Sequence, residues 1–333
     1  MKKFFAFGII SLFIVATVSM FAGCKKELNF VPKESGSRPD GVAITITNAT
    51  ETSDQLSYYV GYDENGIINS IKIPKSDDKV GAKLIGLALY KNACLLDQLA
   101  DYRRATSFCP TETMGVQVDT FVYNIKNGSE YSFVQYQIPR EQNWLLSAMG
   151  VKASGYRSYY NLSMDKLAEQ KVGNAEIDSQ NLPYSEWDDA EITYSDEVPL
   201  FHKSQPHEGT VTDMIITEET ISSATVVFDA EAGLFKLELV LDVNNPKTVE
   251  KVLPNLVEGA NESAHYTSIV ETIELWDNGY FKYFKSTDSW EATVVIPVSA
   301  TLPYETKYSY VESDCQLTDY TEITELKELV NQK

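Results

Sequence analysis

The chain has 333 residues, with 48 acidic against 28 basic side chains and a formal net charge of −20. So acidic a surface repels phosphodiesters and argues against nucleic-acid binding, which needs basic patches. The length is enough for one large domain or two ordinary ones with a real core. The 20 tyrosines, with many Val, Ile and Thr, favour sheet.

The chain begins Met1-Lys2-Lys3, a short positive head. An apolar run from Phe4 to Ala22 follows, broken only by Gly8 and small hydroxyls, and then Gly23-Cys24. A positive end, an apolar middle and small residues at the cut are the layout of a secretory signal. The ending Ala22-Gly23-Cys24 resembles the lipobox of bacterial lipoproteins, with Phe21 where the usual motif has leucine. The resemblance implies that residues 1–23 are a signal peptide. It also implies that the Cys24 sulfur receives a diacylglycerol and that Cys24 becomes the new N-terminus. Two acyl chains on one residue suffice for stable anchoring, which a single chain does not give. Lys25 and Lys26 can then sit against anionic headgroups. Removing residues 1–23 takes away Lys2 and Lys3 and no acid, which moves the net charge from −20 to −22.

Residues 24–41 are polar, with two prolines and two glycines, and read as a lipid-anchored flexible tether. One large α+β domain is expected over 42–333. "VAITIT" (Val42–Thr47) alternates as a first strand. Ser57–Ile73 reads as a hairpin turning at Asn65-Gly66. From Val80 to Arg104 the period becomes helical, with a break near Asn92 and with Arg103 and Arg104 suited to a helix C-terminus. Gly115–Ile138 alternates again and turns at Asn127-Gly128. Asn143–Leu162 fits helix or strand, and "SMDKLAEQ" (Ser163–Gln170) reads as a short helix. Residues 172–210 are acidic and loop-rich, the best candidate for a crossover between two sheet-rich halves. Ser223–Val243 is a hairpin turning at Ala232-Gly233, and Asn244–Ala260 a helix that Pro254 shortens. His265–Val298 is a hairpin whose Asn278-Gly279 tip fits a two-residue type I′ turn. "YSYV" is a last strand and Asp319–Lys333 ends in a short helix.

The order of these runs resembles the LolA/LppX-like half-barrel lipoproteins. It comprises a helix, then "YRRATS" to "SFVQYQ", then "ATVVFDAEAGLFKLELVLDV", a helix, and "VETIELWDNGYFKYFKSTDSW". The resemblance covers roughly Val80–Gln137 and Ile221–Val295. It implies a curved antiparallel β-sheet wrapped on one or two helices, with an apolar ligand such as a lipid held between them. It carries over no site residue.

The chemistry-bearing residues are sparse. His202, His207 and Glu208 in "FHKSQPHE" are zinc-competent, but their spacing matches no helical HExxH and Pro206 marks a loop. Glu186–Glu191 ("EWDDAE") clusters carboxylates without the alternation and central glycine of an EF-hand. Both read as solvated loops. Cys94, Cys109 and Cys315 are odd in number, so they either form one bridge with a free thiol or remain three buried thiols. Trp144, Trp187, Trp276 and Trp290 read as core or sheet packing rather than a ligand pocket. No nucleophile elbow, P-loop, dinucleotide fingerprint or kinase signature occurs. The expectation is a lipid-anchored protein on the extracytoplasmic face of a bacterial membrane, non-enzymatic and without cofactor or metal, that binds an apolar ligand. A protein-interaction or sensor module is the alternative, and an envelope-acting hydrolase the second alternative.

Overall fold

A computed structural model describes residues 33–113, 116–139, 153–175, 191–198, 216–246, 265–293, 297–317 and 323–332. The protein is mostly antiparallel strand with few helices, an α+β class, and among the described residues the strands close no barrel. Contacts divide it into two compact units. The first is built on Asp40–Leu99 and Pro206–Pro303, the second on Ala100–Gln205 and Tyr304–Lys333. The signal, Cys24, the stretches 140–152 and 176–190, and most of the 244–260 helix lie outside the described residues.

The first unit opens with a small sheet of β1 (Thr45–Asn48), β2 (Val60–Tyr62) and β3 (Ile68–Ile73), in the order β1-β3-β2, after a single helical turn α1 (Leu56–Tyr59) ahead of β2. β1 runs parallel to β3. Helix α2 (Lys79–Leu99) follows. Asp78 caps it: its carboxylate accepts the Gly81 N–H at 2.9 Å and the Tyr59 hydroxyl. Ala82, Ile85, Leu89, Ala93 and Leu96 recur at helical spacing and are buried. They pack on β10 (Ile221–Asp229) and β11 (Leu234–Leu241), the first strands of a meander that continues in chain order through β12 (His265–Trp276), β13 (Phe281–Thr293) and β14 (Pro297–Ser309).

Two expectations about this helix are corrected. It is unbroken at Asn92, whose side chain turns outward and accepts the Ile68 N–H at 2.8 Å rather than competing for its own backbone. It also stops at Leu99. Arg103 and Arg104 lie in the next strand, because their partners, one across the strands and one in a distant loop, outweigh a helix C-terminus. The Arg103 guanidinium donates to Asn124 at 2.7 Å and that of Arg104 to the Glu34 carbonyl at 2.6 Å.

The second unit is a meander of β4 (Tyr102–Thr113), β5 (Val116–Asn127), β6 (Glu130–Pro139), β7 (Ala153–Asn161), β8 (Lys166–Ala175) and β9 (Ile192–Ser195), each paired antiparallel with the next. The far end of β14 lies beside β4, where the Ser107 and Thr306 hydroxyls meet at 2.9 Å. Helix α3 (Thr324–Gln332) buries Leu326 and Val330 against Phe121, Val134, Tyr136 and Tyr159. Glu34 and Gly36, from the stretch read as a tether, bond to Arg104, Lys307 and Tyr308 of this unit.

"SMDKLAEQ" is not helical. The Asn161 side chain accepts the N–H groups of Ser163 and Met164 at 2.9 and 3.2 Å, Asp165 takes φ 54°, and the chain turns straight into β8. The Asn278-Gly279 hairpin forms, but not through a type I′ turn, since only Gly279 has positive φ (87°). The Gly279 N–H bonds the Trp276 carbonyl at 2.8 Å and the Trp276 N–H the Tyr280 carbonyl at 2.9 Å, which makes a three-residue loop with a glycine bulge. The Asn65-Gly66 turn repeats that pattern.

Gly279 also abuts α2. A Cβ there would lie 2.6 Å from the Asn92 amide nitrogen, whereas one at Gly128 (φ 59°) or Gly233 (φ 65°) would meet nothing within 4 Å. Gly128→Ala and Gly233→Ala should therefore cost only backbone strain, about 1 kcal/mol. Gly279→Ala should add displacement of Asn92, for about 2–3 kcal/mol in total. Urea midpoints of the three variants check this, and equal losses would show that the turn does not lean on the helix.

Candidate functional site

In the first unit, the N-terminal flank of α2 borders a cleft of about 610 Å³, within the range of ligand pockets. Its walls are consecutive rather than alternate residues: Ala224 to Phe228 of β10 on one side, Ile46 to Asn48 of β1 and Ile73 to Ser76 on the other, with Ala82 of α2. Successive side chains of a strand point to opposite faces, so a run of neighbours means that strand edges, not faces, border the cleft. Among the described residues both strands end their sheets, for β10 pairs there only with β11 and β1 only with β3.

Chain order produces these edges. A meander leaves its first strand with a partner on one side only, and β10 opens the meander here. Natural edges are commonly blunted by lysine, proline or inward charge. The stretch Ile221–Phe228, "ISSATVVF", has none of these, and its one irregularity is a bulge between Ile221 and Ser223. β1 is equally bare. Thr225 and Val227 point outward and are exposed, while Val226 is buried towards the helix. Among the described residues no carboxylate lines the cleft of this strongly acidic chain, and Lys75 is the one charged side chain there.

The space beneath the helix is filled. Ile85, Leu89 and Leu239 are wholly buried, and a Cβ on Gly86 would lie 2.8 Å from a Leu239 methyl. The opening therefore lies beside the helix rather than between helix and sheet.

None of the histidines, cysteines, tryptophans or acidic residues singled out in the sequence is among the described residues that line this cleft. Cys24, His202, His207, Glu208, Trp144, Trp187 and most of the acidic run lie outside the described residues, and Glu191 is exposed. Trp290 is buried in the sheet, and Trp276 is half-buried with the Lys282 ammonium 5.4 Å from its ring. Among the described residues no three His, Cys, Asp or Glu side chains gather as a metal site, and no helix is long and apolar enough to cross a membrane. The edges themselves were legible only as a want of charge and proline in "ISSATVVF". No protein-family model, curated protein or solved structure matches the chain.

Cys94, Cys109 and Cys315 are three buried thiols in no disulfide, which decides between the two states their odd number left open. Burial pushes the Cys94 thiol up, away from the reactive thiolate. A thiol reagent at pH 8 should leave all three unmodified in the native protein and label all three in guanidinium. Fast labelling of the native protein would contradict their burial.

Proposed function

We propose that the protein is a lipid-anchored lipoprotein of the bacterial cell envelope, non-enzymatic, that captures an extended polypeptide segment in the cleft between β1 and β10. The observation that carries this reading is a pair of uncharged strand edges, without a strand partner among the described residues, on either side of one opening. An added strand satisfies backbone N–H and C=O groups that water otherwise solvates, and side-chain pockets at alternate positions give selectivity. Ile46, Ile73, Val226 and Phe228 supply apolar wall. The same wall favours a second reading, an apolar ligand such as a lipid lying along the cleft. The helix-covered antiparallel meander of each unit supports a half-barrel relationship of the LolA/LppX-like kind. The hydrolase reading draws no support from the described residues of the cleft wall, which include no carboxylate.

The anchor is testable by itself. Cys24→Ala should abolish labelling by radioactive palmitate in cells while leaving the fold intact, and labelling that persists would overturn the lipobox reading. For the cleft, decapeptides selected by display against the detergent-solubilised full chain are titrated into it and into the Thr225→Lys/Val227→Lys double variant. Both side chains are exposed, so the fold should tolerate lysine, and each lysine blunts the edge. Binding should weaken about tenfold or more. Peptides that bind both proteins equally would sink the strand-addition reading. A lipid that co-purifies with the wild type and is lost from the double variant would favour the second.

A further inference from the structure

Among the described residues, the sheet face towards α2 is apolar except for one polar island. The buried positions of β12 run Ile269, Glu271, Ile273 and Leu275, and those of β13 run Phe284, Ser286, Asp288 and Trp290. Glu271 is 0% exposed, Ser286 1% and Asp288 2%. Glu271 and Ser286 are directly opposite in the β12–β13 register. On its other side Glu271 faces Leu239 of β11, the residue against which Gly86 of α2 packs. None of the three polar residues lines the cleft.

The Ser286 hydroxyl oxygen lies 3.2 Å from Oε1 of Glu271 and 2.8 Å from Oδ1 of Asp288. A hydroxyl has one hydrogen and can donate to only one of them. With both acids ionised, the other contact would set lone pair against lone pair. One carboxyl must therefore hold a proton and donate it to Ser286, which donates in turn to the second. Glu271 is the holder. Burial first, and then the charge of Asp288, push its carboxyl well above the ordinary range. Its Oε2 is buried without a hydrogen-bond partner, as a neutral acid tolerates better than an ion. The Tyr266 hydroxyl, buried and also without a partner, feels the same Asp288 charge; burial, and then that charge, push it up as well. Among the described residues the surrounding elements add few ionisable groups. β11 presents Leu237 and Leu239, and β14 has none up to Pro303. Tyr90 of α2 packs at Phe281 and Phe284, with Cys94 and Asp97 the other buried ionisable groups of that helix.

We propose that Glu271, Ser286 and Asp288 form a buried single-proton site, and that its proton holds the helix-covered face of this sheet together. The unfolded chain releases the Glu271 proton near pH 4.3, the usual value for glutamate. The folded chain keeps it to higher pH. Between those two values the folded state binds more protons, so stability is greatest below about pH 4.3 and falls as pH rises towards the folded value. The site thus makes the α2 seat tighter in acid and looser in alkali, and α2 flanks the cleft.

The test uses the full chain and Glu271→Gln. The glutamine amide can donate to Ser286 as the neutral acid does, but it does not titrate. Melting temperatures are recorded from pH 5 to pH 9. The variant should match the wild type at pH 5 and exceed it by about 3 °C or more at pH 8. A difference that stays constant across this range would overturn the proposal. Infrared spectroscopy decides independently if the variant fails to fold. The native wild type at pH 7.5 should show a protonated-carboxyl band that disappears on unfolding at the same pH, and its absence would overturn the shared proton.

Discussion

The seat of α2 on its sheet is the contact on which the rest of the first unit depends. A helix of 21 residues reaches the strands closely only where a side chain is missing, and Gly86 supplies that place against Leu239. Ile85, Leu89 and Ala93 then become wholly buried, each large side chain contributing about 1.5–3 kcal/mol. Polar groups fix the seat lengthwise. Asp78 holds the first turn, tied to Tyr59 ahead of β2, and Asn92 ties a later turn to Ile68 of β3. The hairpin at Gly279 closes against Asn92 and Leu96. The small three-stranded sheet is thus fastened to the same helix that covers the meander, and the cleft is the space left at the helix flank.

Much of the architecture could be read from period and turn residues. The alternation of β5, β6, β10–β13 and the glycines at 66, 128, 233 and 279 located hairpins that the structure contains. Elements failed where a local signal had a stronger tertiary competitor. Arg103 and Arg104 suit a helix end by charge, yet their partners lie across strands or in a distant loop. "SMDKLAEQ" has helix formers at its end, yet Asn161 captures two backbone N–H groups first and turns the chain.

The candidate site was less legible, because a free edge is defined by what fails to pair with it. Topology, not the residues of β10, leaves that strand with one neighbour. The buried acids were legible in principle. In "SIVETIELW" the apolar face takes Ile269, Ile273 and Leu275, and Glu271 occupies the position between them. In "YFKYFKSTDSW" Ser286 and Asp288 stand between Phe284 and Trp290 on the same parity. Polar residues at core parity are the places where local rules are broken for a reason.

A bare edge is ordinarily an aggregation hazard, since any copy of β10 can pair with another. Here the net charge of −20 opposes that pairing. Two copies meeting edge to edge bring two strongly acidic bodies together, and repulsion between like charges penalises the encounter before hydrogen bonds can form. A partner of neutral or basic character pays no such penalty, and the described residues of the cleft wall offer it no carboxylate to desolvate. Acidity spread over the molecule, combined with an uncharged edge, therefore discriminates against self-association while leaving the edge open to a different chain. This division differs from that of proteins that place a lysine on the edge itself, where the charge would block every partner alike.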